Sequence, residues 1–157
     1  MPSSPYFEAI KANIDRCGLH IFGIGAGDDG PGFTYTIGFA AHGLPEVIVF
    51  SLDMRMVGPF INRYYDEIVN KKTRDAGPAV LLPDDDWFNL PLSVINVEPG
   101  RADRYAFQAI YFAEDMGWER PDFVQWVWSD TQGKFPWQEG FEKERFGQAQ
   151  PVLARFM

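Results

Sequence analysis

Apolar and polar positions change period several times along the chain, and those changes mark its elements. Over residues 5–17, Tyr6, Ile10, Ile14 and Cys17 recur at helical spacing. Ser4-Pro5 is a start signal and Gly18 a stop, so a helix is expected across 5–17. Residues 19–24 read as a strand, 25–32 as a glycine-rich acidic turn, and 32–39 as a second strand. In that second strand Phe33, Tyr35, Ile37 and Phe39 alternate with Thr34, Thr36 and Gly38, the period of a sheet with one buried face. Residues 47–51, apolar without a break through Phe50, are expected to be a central strand.

Farther on, Val57, Ile61, Tyr64 and Ile68 make the inner stripe of a second helix, capped by Ser51 or Asp53. Gly58-Pro59 either kinks that helix or delays its start, and the cations Lys71, Lys72 and Arg74 suit its end. A short strand at 79–82, a strand at 92–97, a helix at 102–116 and a last strand at 123–128 complete the pattern. This order predicts an α+β fold: one domain over 1–157, a mainly antiparallel sheet of about five or six strands, and three flanking helices.

Composition narrows the function. The chain has 157 residues, 46% of them hydrophobic and 16% aromatic, enough to build a core rather than remain disordered. Its net charge of −8 and lack of a Lys/Arg cluster argue against nucleic acid and anionic membranes, and leave a basic protein or a small molecule as partner. A single cysteine, Cys17, excludes a disulfide framework, and the N-terminus lacks the regions of a signal peptide, so a cytoplasmic protein is expected.

The chemistry-bearing motifs are sparse. Residues 25–30 spell G-x-G-x-x-G, but a strand rather than a helix is expected next, so no helix N-terminus would hold a pyrophosphate. His20, His42 and Cys17 do not form a zinc pattern, and Asp28-Asp29 lacks calcium-loop spacing; no metal site is expected. No nucleophile elbow, H-E-x-x-H helix or Walker loop is present, and no catalytic residue is assigned.

Two groups remain as candidate binding residues. Trp126 and Trp128 share one strand face, with Asp130 beyond them, as either a pocket wall or a core layer. The loop Asp84, Asp85, Asp86, Trp87 and Phe88 combines acid with aromatic area, as a partner interface would.

Several blocks stand out together: Cys17-Gly18-Leu19-His20, the block from Asp28 through Gly38, and Pro45-Glu46 with the apolar run after it. Farther on come Gln125-Trp126-Val127-Trp128-Ser129-Asp130, Gly133-Lys134-Phe135-Pro136-Trp137, Gly140-Phe141 and Gln150-Pro151. In these blocks the chain resembles a bacterial family known as domain of unknown function 4262. The family commonly has an aromatic where Leu19 stands and Leu in place of Phe39; it implies no agreed activity. A looser similarity, at the level of fold, is to the split barrel of flavin reductases. It would place Tyr35, Thr36 and the loop at 41–44 near a flavin phosphate, though no cofactor is expected in so acidic a chain.

The leading expectation is a non-catalytic cytoplasmic binding protein that recognises a protein partner, immunity-like or accessory. The alternative is a small-molecule or flavin-type enzyme with a pocket lined by Tyr35, His42, Trp126 and Trp128. A third is a structural domain acting as a homo-oligomer through its aromatic face.

Overall fold

The computed structural model describes residues 5–28, 30–70 and 90–154. The expected Ser4 cap, the cations at 71–74, the strand at 79–82 and the acidic-aromatic loop at 84–88 lie outside the described residues.

Helix α1 (Pro5–Cys17) leads into β1 (His20–Ile24), β2 (Phe33–Ile37) and, after a 3₁₀ turn at Phe39–His42, β3 (Glu46–Phe50). Helix α2 (Met54–Tyr65) follows, its last turn widening into a π-helical turn at Asp66–Asn70. Then come β4 (Leu92–Asn96), α3 (Phe107–Met116), β5 (Phe123–Trp128) and a short α4 (Lys143–Phe146). Among the described residues five strands form one sheet in the order β1-β2-β3-β5-β4. All neighbours are antiparallel except β3 and β5, which run parallel with Ile48 opposite Gln125. The fold is a single α+β sheet, mostly antiparallel, as the sequence pattern predicts.

Core packing follows the period of two. On β3, Val47 and Val49 point into a layer with Val57, Ile61 and Tyr64 of α2. Ile48 and Phe50 point the other way, toward Ile10 of α1 and Ala109 and Phe112 of α3. The central strand is buried on both faces, which explains its unbroken apolar run. Trp126 belongs to the α2 layer, fully buried, with its ring edge-on to Tyr64 at 5.6 Å. One such ring removes roughly 150–250 Å² from water, so it anchors the layer.

Element boundaries shift where backbone chemistry overrides the apolar pattern. The second strand stops at Ile37, because Gly38 has φ +139 and turns the chain into the 3₁₀ segment, carrying Phe39 into the α2 layer. Asp53, not Ser51, caps α2: its side chain accepts from the Arg55 N–H, and Pro59 is carried inside the helix. The third helix begins at Phe107, five residues later than its apolar stripe predicts; residues 101–105 make turns, and Ala102 and Ala106 still pack in the core.

Gly18 closes α1 with φ +84, and a Cβ built there would lie 2.1 Å from the Tyr65 hydroxyl. Gly117 closes α3 at φ +74 with open space around it. Gly117→Ala is therefore expected to cost about 1 kcal/mol, the price of the left-handed backbone alone. Gly18→Ala should cost distinctly more, because Tyr65 must also move. Urea unfolding of the two variants checks this, and equal losses would refute the close approach of α1 and α2.

Candidate functional site

The sheet has two chemically different ends. At one, β1 passes into the glycine-rich turn; Gly27 and Gly30 close that turn by exchanging backbone hydrogen bonds of 3.1 and 3.2 Å. The turn feeds β2, not a helix, so the G-x-G-x-x-G string forms a hairpin loop and supplies no helix N-terminus for a phosphate. Across from it, β3 is followed by Ser51, whose φ of +61 is left-handed without being glycine. Such a conformation costs of order 1–3 kcal/mol and needs support. Its N–H donates to Gly32 O at 2.8 Å, and its hydroxyl donates to Ala149 O in the C-terminal segment. That tight corner turns the chain back so that the first turn of α2 faces the hairpin.

Between hairpin and helix lies a cleft of about 540 Å³. Its floor is largely main chain at Gly23, Gly25 and Gly32, and its walls are Ile24, Leu52 and Met54. Met54 packs over Gly23, where a Cβ would lie 3.0 Å from its sulfur. Ile24 and Met54 are nevertheless 40% and 45% exposed, so the cleft rim is apolar and wet. Thr34 and the Asp53–Arg55 pair, bridged at 3.2 Å, supply its polar edge. Arg55 is spent on Asp53, whose carboxylate its hydrogen bond holds below the usual range.

At the other end of the sheet, Glu46 is buried at 1% exposure. Its Oε1 accepts from the Thr36 hydroxyl (2.8 Å) and the Phe39 N–H (3.0 Å). Its Oε2 accepts from the N–H groups of Gly38 (3.1 Å) and Ala40 (3.0 Å). Thr36 in turn accepts from the Val47 N–H at 2.9 Å. The carboxylate thus caps the 3₁₀ turn from below, and its acceptor positions are filled by the protein itself. Loss of water around it outweighs the four donors and pushes its pKa up to about 7. Beyond the turn, His42 Nε2 lies 3.2 Å from the Tyr65 hydroxyl. Burial raises the Tyr65 pKa, helped by the nearby charges of Glu46 and Cys17.

The sequence-derived candidates fall in several places. Thr36 and His42 sit at the Glu46 end; Thr36 is fully buried and His42 is exposed. Tyr35 is buried in the α1/α3 layer, stacked on Phe22 at 5.1 Å, whereas Trp126 is in the opposite layer. The fold therefore does not bring Tyr35, His42, Trp126 and Trp128 around one cavity. Trp128 is half-buried and donates its indole N–H to Phe50 O at 2.8 Å. Asp130 is buried and organises a loop: burial pushes its pKa up, but the N–H groups of Lys134, Glu142 and Gln132 outweigh that and hold it below the carboxylate norm. Asp84, Asp85, Asp86, Trp87 and Phe88 lie outside the described residues.

Residues 13–142 match a family described as a domain of unknown function (DUF4262). The chain belongs to that family. No curated protein and no solved structure matches it. The matched span of DUF4262 takes in both ends of the sheet, from the α1 stop through the hairpin, Glu46 and α2 to the loop that Asp130 holds. Among the described residues, no helix is long and apolar enough to cross a membrane, and no group of three or more His, Cys, Asp or Glu could hold a metal ion.

Sequence reasoning passed over Glu46 as a site residue, because a glutamate opening a strand usually faces solvent. The signal available was its place between an apolar run and Thr36 in the preceding strand, with Gly38 at the turn. The rim residues Ile24 and Met54 carry no signal beyond being apolar.

Because the folded pKa of Glu46 lies above its ordinary 4.5, the folded state binds that proton more tightly than the unfolded state. Its stabilising effect is full below about pH 4.5 and is lost as pH rises through about 7. The difference in unfolding free energy between wild type and Glu46→Gln should thus shift against wild type from pH 5 to pH 8, by on the order of 3 kcal/mol. Urea titrations at the two pH values measure it; a difference independent of pH would show that Glu46 stays charged throughout.

Proposed function

We propose that this protein is a non-catalytic binding protein, working in the cytoplasm, that takes a segment of a protein partner into the cleft between the glycine hairpin and the start of α2. The observation that carries the reading is the pairing of a 540 Å³ cleft with exposed Ile24 and Met54 on its rim. Soluble domains seldom leave large apolar side chains around a concavity without use, and methionine adapts its shape to varied partners. The main-chain floor at three glycines lets a partner's backbone approach closely.

The alternative of an enzyme draws less support. The buried carboxylate spends its acceptors on the 3₁₀ turn, and His42 faces a tyrosine rather than a nucleophile. The net charge of −8 favours a basic partner at long range, where it speeds encounter, while contact in the cleft is apolar. An immunity-like or accessory role fits this division of labour.

Met54→Lys and Ile24→Lys change exposed side chains, so each should leave the melting temperature within a few degrees of wild type. Each should reduce partner affinity at least about tenfold, the scale for losing an apolar anchor at an interface. Isothermal titration with a partner recovered from the native host checks the pair. Undiminished affinity in both variants would place the interface elsewhere.

A further inference from the structure

The cleft continues past the hairpin. A second cavity of about 300 Å³ shares Ile24, Gly25, Pro31 and Phe33 with it, and its far wall is Arg104 and Tyr105, from the turns before α3. The two lobes flank the same stretch of hairpin, one toward α2 and one toward α3. Arg104 lies exposed with its guanidinium carbon 5.0 Å from the centre of the Tyr105 ring. Tyr105 is itself fixed edge-on against Phe33 at 5.4 Å and Phe50 at 5.0 Å. A guanidinium lying on an anchored ring keeps its planar N–H fork available for a carboxylate.

Nearby arginines are already engaged. Arg55 bridges Asp53, Arg101 reaches Glu98 at 3.9 Å, and Arg120 pairs with Asp103. Among the described residues Arg104 has no carboxylate partner, although Asp28 lines the same cavity. In a chain of net charge −8, a cation left unpaired at the edge of an apolar cleft marks a local preference opposite to the global one.

We infer that the two lobes receive one extended segment, with an apolar side chain in the larger lobe and an acidic side chain, Asp or Glu, on Arg104. This rests on the binding reading above and adds the chemistry of the partner. The lobes share Ile24, Gly25, Pro31 and Phe33, and an extended chain rises about 3.3 Å per residue, so side chains a few residues apart on one segment reach both. The apolar contact provides affinity; the Arg104 fork fixes register and excludes segments with lysine at that position.

The test is selection of a random twelve-residue peptide library, displayed without free C-termini, on the full-length wild-type chain. Wild type should enrich Leu, Ile, Phe or Met with Asp or Glu at one fixed spacing a few positions away. Arg104→Glu, an exposed change whose folding is checked by its thermal melt, should keep the apolar preference and exchange Asp/Glu for Lys/Arg. Arg104→Lys should bind the wild-type-selected peptide about two- to fivefold more weakly by fluorescence anisotropy, the range for an exposed ion pair that loses its forked geometry. Apolar enrichment without an acidic preference, or an acidic preference untouched by Arg104→Glu, would overturn the inference and leave the cleft standing. A preference found only with peptides ending in a free carboxylate would overturn the side-chain assignment. If the apolar preference itself survives Met54→Lys, the cleft reading fails as well.

Discussion

One buried carboxylate sets the geometry of the sheet's closed end. Glu46 opens the central strand, and from that position it collects the Thr36 hydroxyl and three consecutive N–H groups of the turn that joins β2 to β3. Those N–H groups could not be left unpaired in a dry environment without a cost of about 1–3 kcal/mol each. The turn they form inserts Phe39 into the α2 layer and presents His42 to Tyr65. Tyr65 in turn rests against Gly18, so the same carboxylate ties the ends of α1 and α2 to the sheet. The arrangement is tight: an added Cβ at Gly38 would meet the Gly18 carbonyl at 2.4 Å.

With that end closed by internal hydrogen bonds, the open cleft lies at the other. There the hairpin is held by glycine backbone rather than side chains, Ser51 holds a strained corner, and the helix start is capped by its own Asp53. Local polar groups satisfy each other, and the apolar rim is left to the solvent. The C-terminal segment supports the corner from behind: Gln125 and Gln150 clasp it to β5, Gln125 through Pro151 O and the Leu153 N–H, Gln150 through the Trp128 backbone. A rigid corner beside an open cleft suits the binding role we propose, because ordering the corner on binding would subtract from affinity.

Much of this was legible in the chain. Helix α1 emerges with the expected bounds, and β4 and β5 fall close to theirs, because cap residues, glycine stops and strong periodicity agreed there. Boundaries depart from the apolar pattern where side chains act on backbone. The second strand ends before its alternation does, because Phe39 keeps the alternating pattern after Gly38 has already turned the chain. The third helix starts later than its stripe implies because Ala102 and Tyr105 reach the core from turns that mimic a helical stripe.

The sequence by itself determined the fold class, the sheet's buried centre and the absence of a contiguous catalytic motif, since these depend on period and composition along the chain. Only the tertiary structure decided that Tyr35 and Trp126 lie in opposite layers, that the tryptophan face is core, and that β3 and β5 run parallel. It alone joined Glu46 to its turn and placed Arg104 beside the glycine hairpin, more than seventy residues away in the chain. The physical reason is that alternation says which residues share a face of a strand. It does not say which other elements that face will meet, or which buried group will find its hydrogen bonds there.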